Sequence, residues 1–489
     1  MFDYYIKNGE INIKKKINKN IIILYIVFSI TTIVFFPTIN SKLVDNKIII
    51  NLNEADKISE DNYDLIIICP VSFEKLVQPL VAHKQKYGVK TYLATLDEIY
   101  SHPESRTGRD DAEKIKLFIK YTLDNWQIKH VLLIGGKVGQ LNRWHMPVRY
   151  IHLGNSWEAE ILSDLYFADI YDKNGNFSSW DSDGDGKFCE WFYNDQPEDV
   201  FIDLSPEVSI GRLPCRNKLE VFFMVNKIIN YEKSYQKGKS WFDRFIVVAG
   251  DTYPELHNPK WIGFEGEFYG DLAIENMSDF NPIKLYTSEG GYLDSKDISN
   301  PLNKGCGFIY FVGHGCPILW TNNLPNSTES ADPFRITDIF MLINFRKLPV
   351  CVVSGCHNSQ FDVDIFNYFD ELKRKRAEYP MECWGWLMTR KTIGGSIATL
   401  GCSALGYTKE DKVSFAGGIN ELEVSFFNHY STKNHEILGD VWSEAIKWYI
   451  NTYPVDWNQE LTNDNWIDIQ VASTWVLFGD PSLKIGGYQ

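Results

Sequence analysis

From residue 64 onward, short apolar runs alternate with longer stretches whose apolar residues recur every three or four positions. "DLIIIC" (64–69) reads as a buried strand, and residues 72–87 carry helical spacing that stops at Gly88. "VKTYLAT" (89–95) is a second strand. "RDDAEKIKLFIKYTLDNW" (109–126) is an amphipathic helix with an acidic first turn, and "HVLLIGG" (130–136) is a third strand. This order predicts a parallel sheet with right-handed crossovers. The alternation lapses over 137–215, which is rich in aromatic, Asp and Gly residues, and resumes after a helix at 217–234. The second block offers strands at 244–250, 283–288, 307–313, 348–355 and 393–401, with a helix around 263–278. Amphipathic helices at 415–430 and 434–450 and a strand-like "WVLFGDPSLKI" end the chain. The pattern predicts two α/β subdomains, 62–240 and 241–489, behind a polar linker at 41–61.

The first 40 residues fall outside this pattern. A basic stretch, "IKKKINKN" (13–20), precedes an uncharged apolar run at 21–36. Such a segment suits a secretory leader, or a membrane anchor if it is retained. The expectation is therefore a secreted or surface-held protein that meets a membrane only through this segment.

At 489 residues, with 44% apolar and 15% aromatic content, the chain can bury a large core. Its formal charge of −15 argues against a nucleic-acid partner, because phosphate binding needs a basic face. The cysteines, nine in number, form no CxxC pair and no zinc spacing. An odd count leaves at least one thiol outside any intramolecular disulfide set.

Candidate chemistry collects where strands end, as open α/β sheets favour. The apolar run of "FIYFVGHG" (308–315) stops at His314-Gly315, and that of "VVSGCHNSQFD" (352–362) stops at Ser354-Gly355 and then presents Cys356, His357 and Asn358. A thiol needs a base or a positive neighbour to become a nucleophile near neutral pH, and a histidine on an adjacent strand end supplies one. Gly315 and Gly355 are expected to let the backbone turn sharply and approach a bound carbonyl. His357 is a poor base for Cys356, because consecutive extended residues point opposite ways. His314, Cys316, Cys351 and Cys356 make no zinc set, since Cys351 faces the other side of its strand.

These two blocks resemble the His-Gly and strand-Cys blocks of the gingipain-type cysteine peptidases, peptidase family C25. The tail Gln360-Phe361-Asp362 is the most specific match, and "GRDDAEKIKLFIK", "SDLYFADIYD", "SIGRLPCR" and "FGDPSL" extend it over most of the chain after residue 60. The resemblance implies a caspase-like fold and a peptide or protein substrate. It implies Cys356 as nucleophile, His314 as general base and acid, and the amides of Gly315 and Cys356 as oxyanion hole. No catalytic metal is implied.

A third residue orients the histidine in such sites. Asp251, just past the strand at 244–250, is the choice, with Glu255, Glu265 and Glu267 as rivals. Glu265 or Glu267 is also a candidate acidic floor for a basic P1 side chain. The rival class is a catalytically silent binding module on the same fold, and the intact Cys and His speak against it.

"DSDGDGKFCE" (181–190) sets Asp181, Asp183 and Asp185 at alternate positions, followed by Gly186. That order begins an EF-hand-like calcium loop, with the Lys187 carbonyl and Glu190 as later ligands. Glu190 comes at position 10 and not 12, so the full motif is not met. A structural calcium ion is expected here, away from the strand ends.

Overall fold

The computed structural model describes residues 62–153, 158–191, 197–254, 264–409, 417–457 and 463–489. The expected leader (1–40) and the whole of the expected linker (41–61) lie outside the described residues. Residues 60–489 form one compact unit.

The strands in chain order are β1 (Leu65–Cys69), β2 (Thr91–Thr95), β3 (His130–Ile134), β4 (Tyr150–Ile151), β5 (Ile161–Leu162) and β6 (Ser209–Leu213). Then come β7 (Arg244–Ala249), β8 (Asn281–Tyr286), β9 (Phe308–Val312), β10 (His314–Cys316) and β11 (Leu319–Thr321). The last are β12 (Phe334–Arg335), β13 (Val350–Ser354), β14 (Ala398–Cys402) and β15 (Trp475–Phe478). Ten of them build one sheet in the order β2-β1-β3-β6-β15-β14-β13-β9-β7-β8.

Neighbours in this sheet run parallel except β14 and β15, which are antiparallel. The two halves therefore run in opposite directions and join through a strand from the end of the chain. The architecture is the expected α/β one, a large and mostly parallel sheet flanked by helices. Continuous apolar runs such as β9 and β13 are buried on both faces, as parallel strands require. Val350 and Val352 pack with Phe308 and Tyr310 on one face, while Cys351 and Val353 pack with Ile309 and Phe311 on the other.

The helices follow the apolar spacing, at Glu74–Lys86, Asp111–Trp126 and Lys218–Glu232 among others. Asp110 and Asn217 cap the second and third of these by accepting backbone amides of the first turn. Lys84 is fully buried between Glu232 (2.7 Å) and Asp480 (2.8 Å), tying the first helix to the third and to the turn after β15.

Two boundaries differ from expectation. The strand expected at 393–401 begins only at Ala398, because Gly394 and Gly395 sit at φ +90° and +76° and form a turn. The strand-like tail stops at Phe478, where Asp480 accepts the Ser482 amide at 2.9 Å and closes a turn.

Candidate active site

Strands β7, β9 and β13 lie side by side and parallel, with Phe311 opposite Val248 and Val312 opposite Ser354. Beyond these pairs β9 runs on to His314, β13 to Cys356, and β7 to Asp251 and Thr252. Adjacent strands are about 4.8 Å apart, so register alone gathers these residues at one edge of the sheet. His314 and Cys356 each stand two residues past the Val312–Ser354 pair.

His314 opens a hairpin in which it pairs with Thr321, the first turn of a small antiparallel sheet of β10, β11 and β12. Its Nε2 lies 2.6 Å from the Thr252 carbonyl oxygen, and the Tyr253 ring meets it edge-on at 5.6 Å. A carbonyl only accepts, so Nε2 carries the proton and the neutral ring keeps its lone pair on Nδ1. Burial holds the imidazole below its ordinary value, and the carbonyl contact partly offsets this. Asp251 is buried and its Oδ2 accepts the Asn326 amide at 2.7 Å, which braces the turn that presents Thr252. Asn323 adds a longer contact, Nδ2 to the Thr252 carbonyl at 3.4 Å. This backbone carbonyl carries no signal in the sequence.

Cys356 is 8% exposed, and the Gly406 amide points to its Sγ at 3.4 Å. Burial pushes the thiol up to about 11, the Gly406 amide lowers it, and the Glu158 carboxylate adds a smaller upward push. Gly406 follows β14 and carried no signal in the sequence.

The turn itself is a correction. Gly315 and Gly355 do not adopt left-handed backbone; His357, next to Cys356, does so at φ +58°. The glycines are needed for a different reason. A Cβ at 315 or 355 would come within 2.1 or 2.2 Å of the Asn358 Oδ1. Asn358 is fully buried, and its Nδ2 donates to the carbonyls of Cys316 (2.8 Å) and Leu319 (2.9 Å), clamping the histidine hairpin to the cysteine turn. His357 is also buried, with Nε2 3.2 Å from a Glu158 oxygen. Burial depresses its ring to about 4, so at neutral pH this is a contact with an uncharged imidazole and not an ion pair. Phe361, of the Gln-Phe-Asp tail, sits edge-on to Trp144 and Phe478, each at 5.8 Å, and fastens the turn to the other half of the sheet.

Glu265 and Glu267 begin the helix Glu265–Asn276 and are both buried. Glu265 accepts the Tyr253 amide at 3.3 Å, one residue from Thr252. Glu267 accepts from the Ser288 amide (3.0 Å) and hydroxyl (2.6 Å), and burial raises its pKa. Glu255 lies outside the described residues.

In the acidic loop, carboxylate oxygens of Asp181, Asp183 and Asp199 lie within 4.8 Å of one another. Asp185 and Glu190 are instead engaged by the Lys187 ammonium, at 3.2 and 2.7 Å. Asp199 was not singled out in the sequence, because it joins from 18 residues downstream of Asp181. Burial, with Asp181 and Asp183 adding to it, raises its carboxyl to about 7. Asp181 accepts from Arg109 Nη1 at 2.6 Å and from the Gly184 amide at 2.7 Å. Convergent, mutually repelling carboxyl groups of this kind fit a hard divalent cation.

Residues 58–486 match the family model for peptidase family C25. Lys-gingipain HG66 of Porphyromonas gingivalis is 26% identical over 235 residues, which is 46% of this chain and 11% of that protein. Gingipain R2 of the same organism is 20% identical over 430 residues, 87% of this chain and 46% of that protein. The chain thus spans less than half the length of these relatives. Among solved structures, the Arg-specific cysteine proteinase gingipain R superposes with TM-score 0.59 at 18% identity, covering 87% of this chain and 79% of the other. A complex of pro- and mature domains from Porphyromonas gingivalis gives 0.57 at 18% identity, with 86% and 79% coverage. At that identity the likeness speaks for the fold.

Proposed function

The chain belongs to peptidase family C25, and from that footing we propose that it is a cysteine endopeptidase working through Cys356 and His314. The observation that carries this is the register of β9 and β13, which sets the two residues an equal step beyond one strand pair. Both groups rest uncharged: burial keeps the thiol protonated and the imidazole neutral. The sulfur would attack the scissile carbonyl carbon as its proton passes to His314 Nδ1. The amides of Gly315 and Cys356 would hold the oxyanion. The imidazolium, steadied by the Thr252 carbonyl, would then protonate the leaving amine. Water, deprotonated by the same ring, would release the acid and restore the thiol. Asp251 would act through the turn that presents Thr252.

Glu265, beside that turn, is the acidic group through which a basic P1 residue would be read, with Glu267 as the alternative. Calcium would be held by Asp181, Asp183 and Asp199 in a structural role, with the Lys187 carbonyl as a further ligand and Asp185 and Glu190 released from Lys187 if they join. The uncharged run at 21–36 supports export or surface anchoring. Among the described residues no helix is long and apolar enough to cross a membrane.

The deciding experiment is Cys356→Ala, which should abolish peptide hydrolysis with an unchanged melting curve. A thiol-directed peptide inhibitor should label Cys356 ahead of the other eight cysteines, none of which is disulfide-bonded. Wild-type protein that is folded, binds peptides and cleaves none would establish the silent binding module instead.

A further inference from the structure

The sheet edge at which β9, β13 and β14 begin lies opposite the edge that carries Cys356. Burial alternates along the chain entering β13. Leu342 and Asn344 point inward, whereas Met341 is 73% exposed, Ile343 67% and Phe345 57%. The buried Asn344 fixes this knuckle, with Nδ2 donating to the carbonyls of Lys347 (3.0 Å) and Gly395 (2.8 Å) and Oδ1 accepting the Gly395 amide (2.8 Å). The same contacts bring Ile393, 55% exposed, to this edge.

Cations surround the apolar tips. The Arg346 guanidinium lies over the Phe345 ring at 5.1 Å, Lys391 Nζ donates to the Phe340 carbonyl at 2.7 Å, and Lys347 Nζ reaches the Lys304 carbonyl at 3.4 Å. No carboxylate occurs in residues 303–305, 339–347 or 390–397, although the chain's formal charge is −15. A second copy on this face would oppose like charges. Protruding apolar side chains inside a ring of cations have the chemistry of an interfacial membrane contact.

We propose that this edge docks on an anionic lipid bilayer. Met341, Ile343, Phe345 and Ile393 enter the boundary between headgroups and acyl chains, while Arg346, Lys347 and Lys391 meet the lipid phosphates. The strand ends bearing Cys356 and His314 then face away from the bilayer, open to substrate. The docking does not depend on the peptidase reading.

The test uses full-length Cys356→Ala protein, so that activity plays no part. An environment-sensitive dye is attached at Ile343→Cys or, as control, at Tyr368→Cys on the loop after the nucleophile. Vesicles are phosphatidylcholine with or without about 30 mol % phosphatidylglycerol. The dye at 343, and not at 368, should brighten and shift to the blue with the anionic vesicles alone. Arg346→Glu with Lys347→Glu should lower that partitioning about tenfold or more, and about 0.5 M salt should weaken it. A dye at 343 unmoved by anionic vesicles overturns the proposal. So does an equal response to neutral vesicles that the charge reversals leave intact. Concentration-dependent dimerisation without lipid, lost in Met341→Ser, would assign the face to a second copy and overturn it as well.

Discussion

The Nε2 of His314 lies 2.6 Å from the carbonyl oxygen of Thr252, so a backbone group fixes the tautomer of the proposed base. This geometry places the ring's lone pair on Nδ1 and makes its orientation depend on the turn after β7. Asp251 holds that turn through the Asn326 amide.

Loss of the base and loss of its support should therefore differ in size. His314→Ala should lower kcat/KM by about 10²–10⁴-fold, the usual share of a positioned general acid–base group. Asp251→Asn should cost less, because an amide oxygen can still accept from the Asn326 N–H. The double variant should be little worse than His314→Ala alone, since residues acting as one unit fail together. Penalties that multiply would put Asp251 to work elsewhere, in substrate binding.

The pH profile of kcat/KM should be broad. His314 must be neutral to accept the proton, and its pKa lies below the ordinary 6.5, so the acidic limb should fall below that value. The thiol stays protonated up to about 11, so no alkaline decline is expected near the ordinary cysteine value of 9.0. A limb centred between 8 and 9 would instead show a resting thiolate–imidazolium pair.

Gly355→Ala should displace the turn that carries Cys356, because the new Cβ would lie 2.2 Å from Asn358 Oδ1. Overpacking of this kind costs about 1–3 kcal/mol, and kcat should fall more than KM changes. Asn358→Ala should destabilise by about 1–3 kcal/mol through the two carbonyls it leaves without a donor. Denaturant unfolding and steady-state kinetics on both variants check this, and wild-type values would remove the clamp from the account.

Calcium should raise thermal stability, by about 2.7 kcal/mol at a hundredfold excess over its Kd. Without it, Asp199 supplies a pH signature. Its carboxyl is raised in the folded state from an ordinary 3.8 to about 7, so the native protein holds the extra proton between these values. Stability in chelator should therefore fall as pH rises from 4 to 7, because the folded state is penalised once Asp199 ionises. Calcium or Asp199→Asn should flatten that slope. Identical melting curves with calcium and with chelator would leave the loop merely acidic.

The strands were legible because apolar runs such as "DLIIIC" and "LPVCVVSG" have no other stable place than a sheet buried on both faces. Cys356 and His314 were legible because chemically unusual side chains followed such runs. The Asp-x-Asp-x-Asp-Gly order marked the loop that carries Asp181 and Asp183. The rest depends on partners distant in sequence. Thr252 reaches His314 across 62 residues through a backbone atom that every residue type possesses. Gly406 meets Cys356 across 50 residues. Asp199 completes the acidic cluster from beyond the motif, while Lys187 draws Asp185 and Glu190 aside. Asn358 dictates both glycines by occupying the space their side chains would fill. A local pattern can specify which groups stand at a strand's end. Which neighbour touches them is set by strand order and register, and those emerge only when the whole sheet packs.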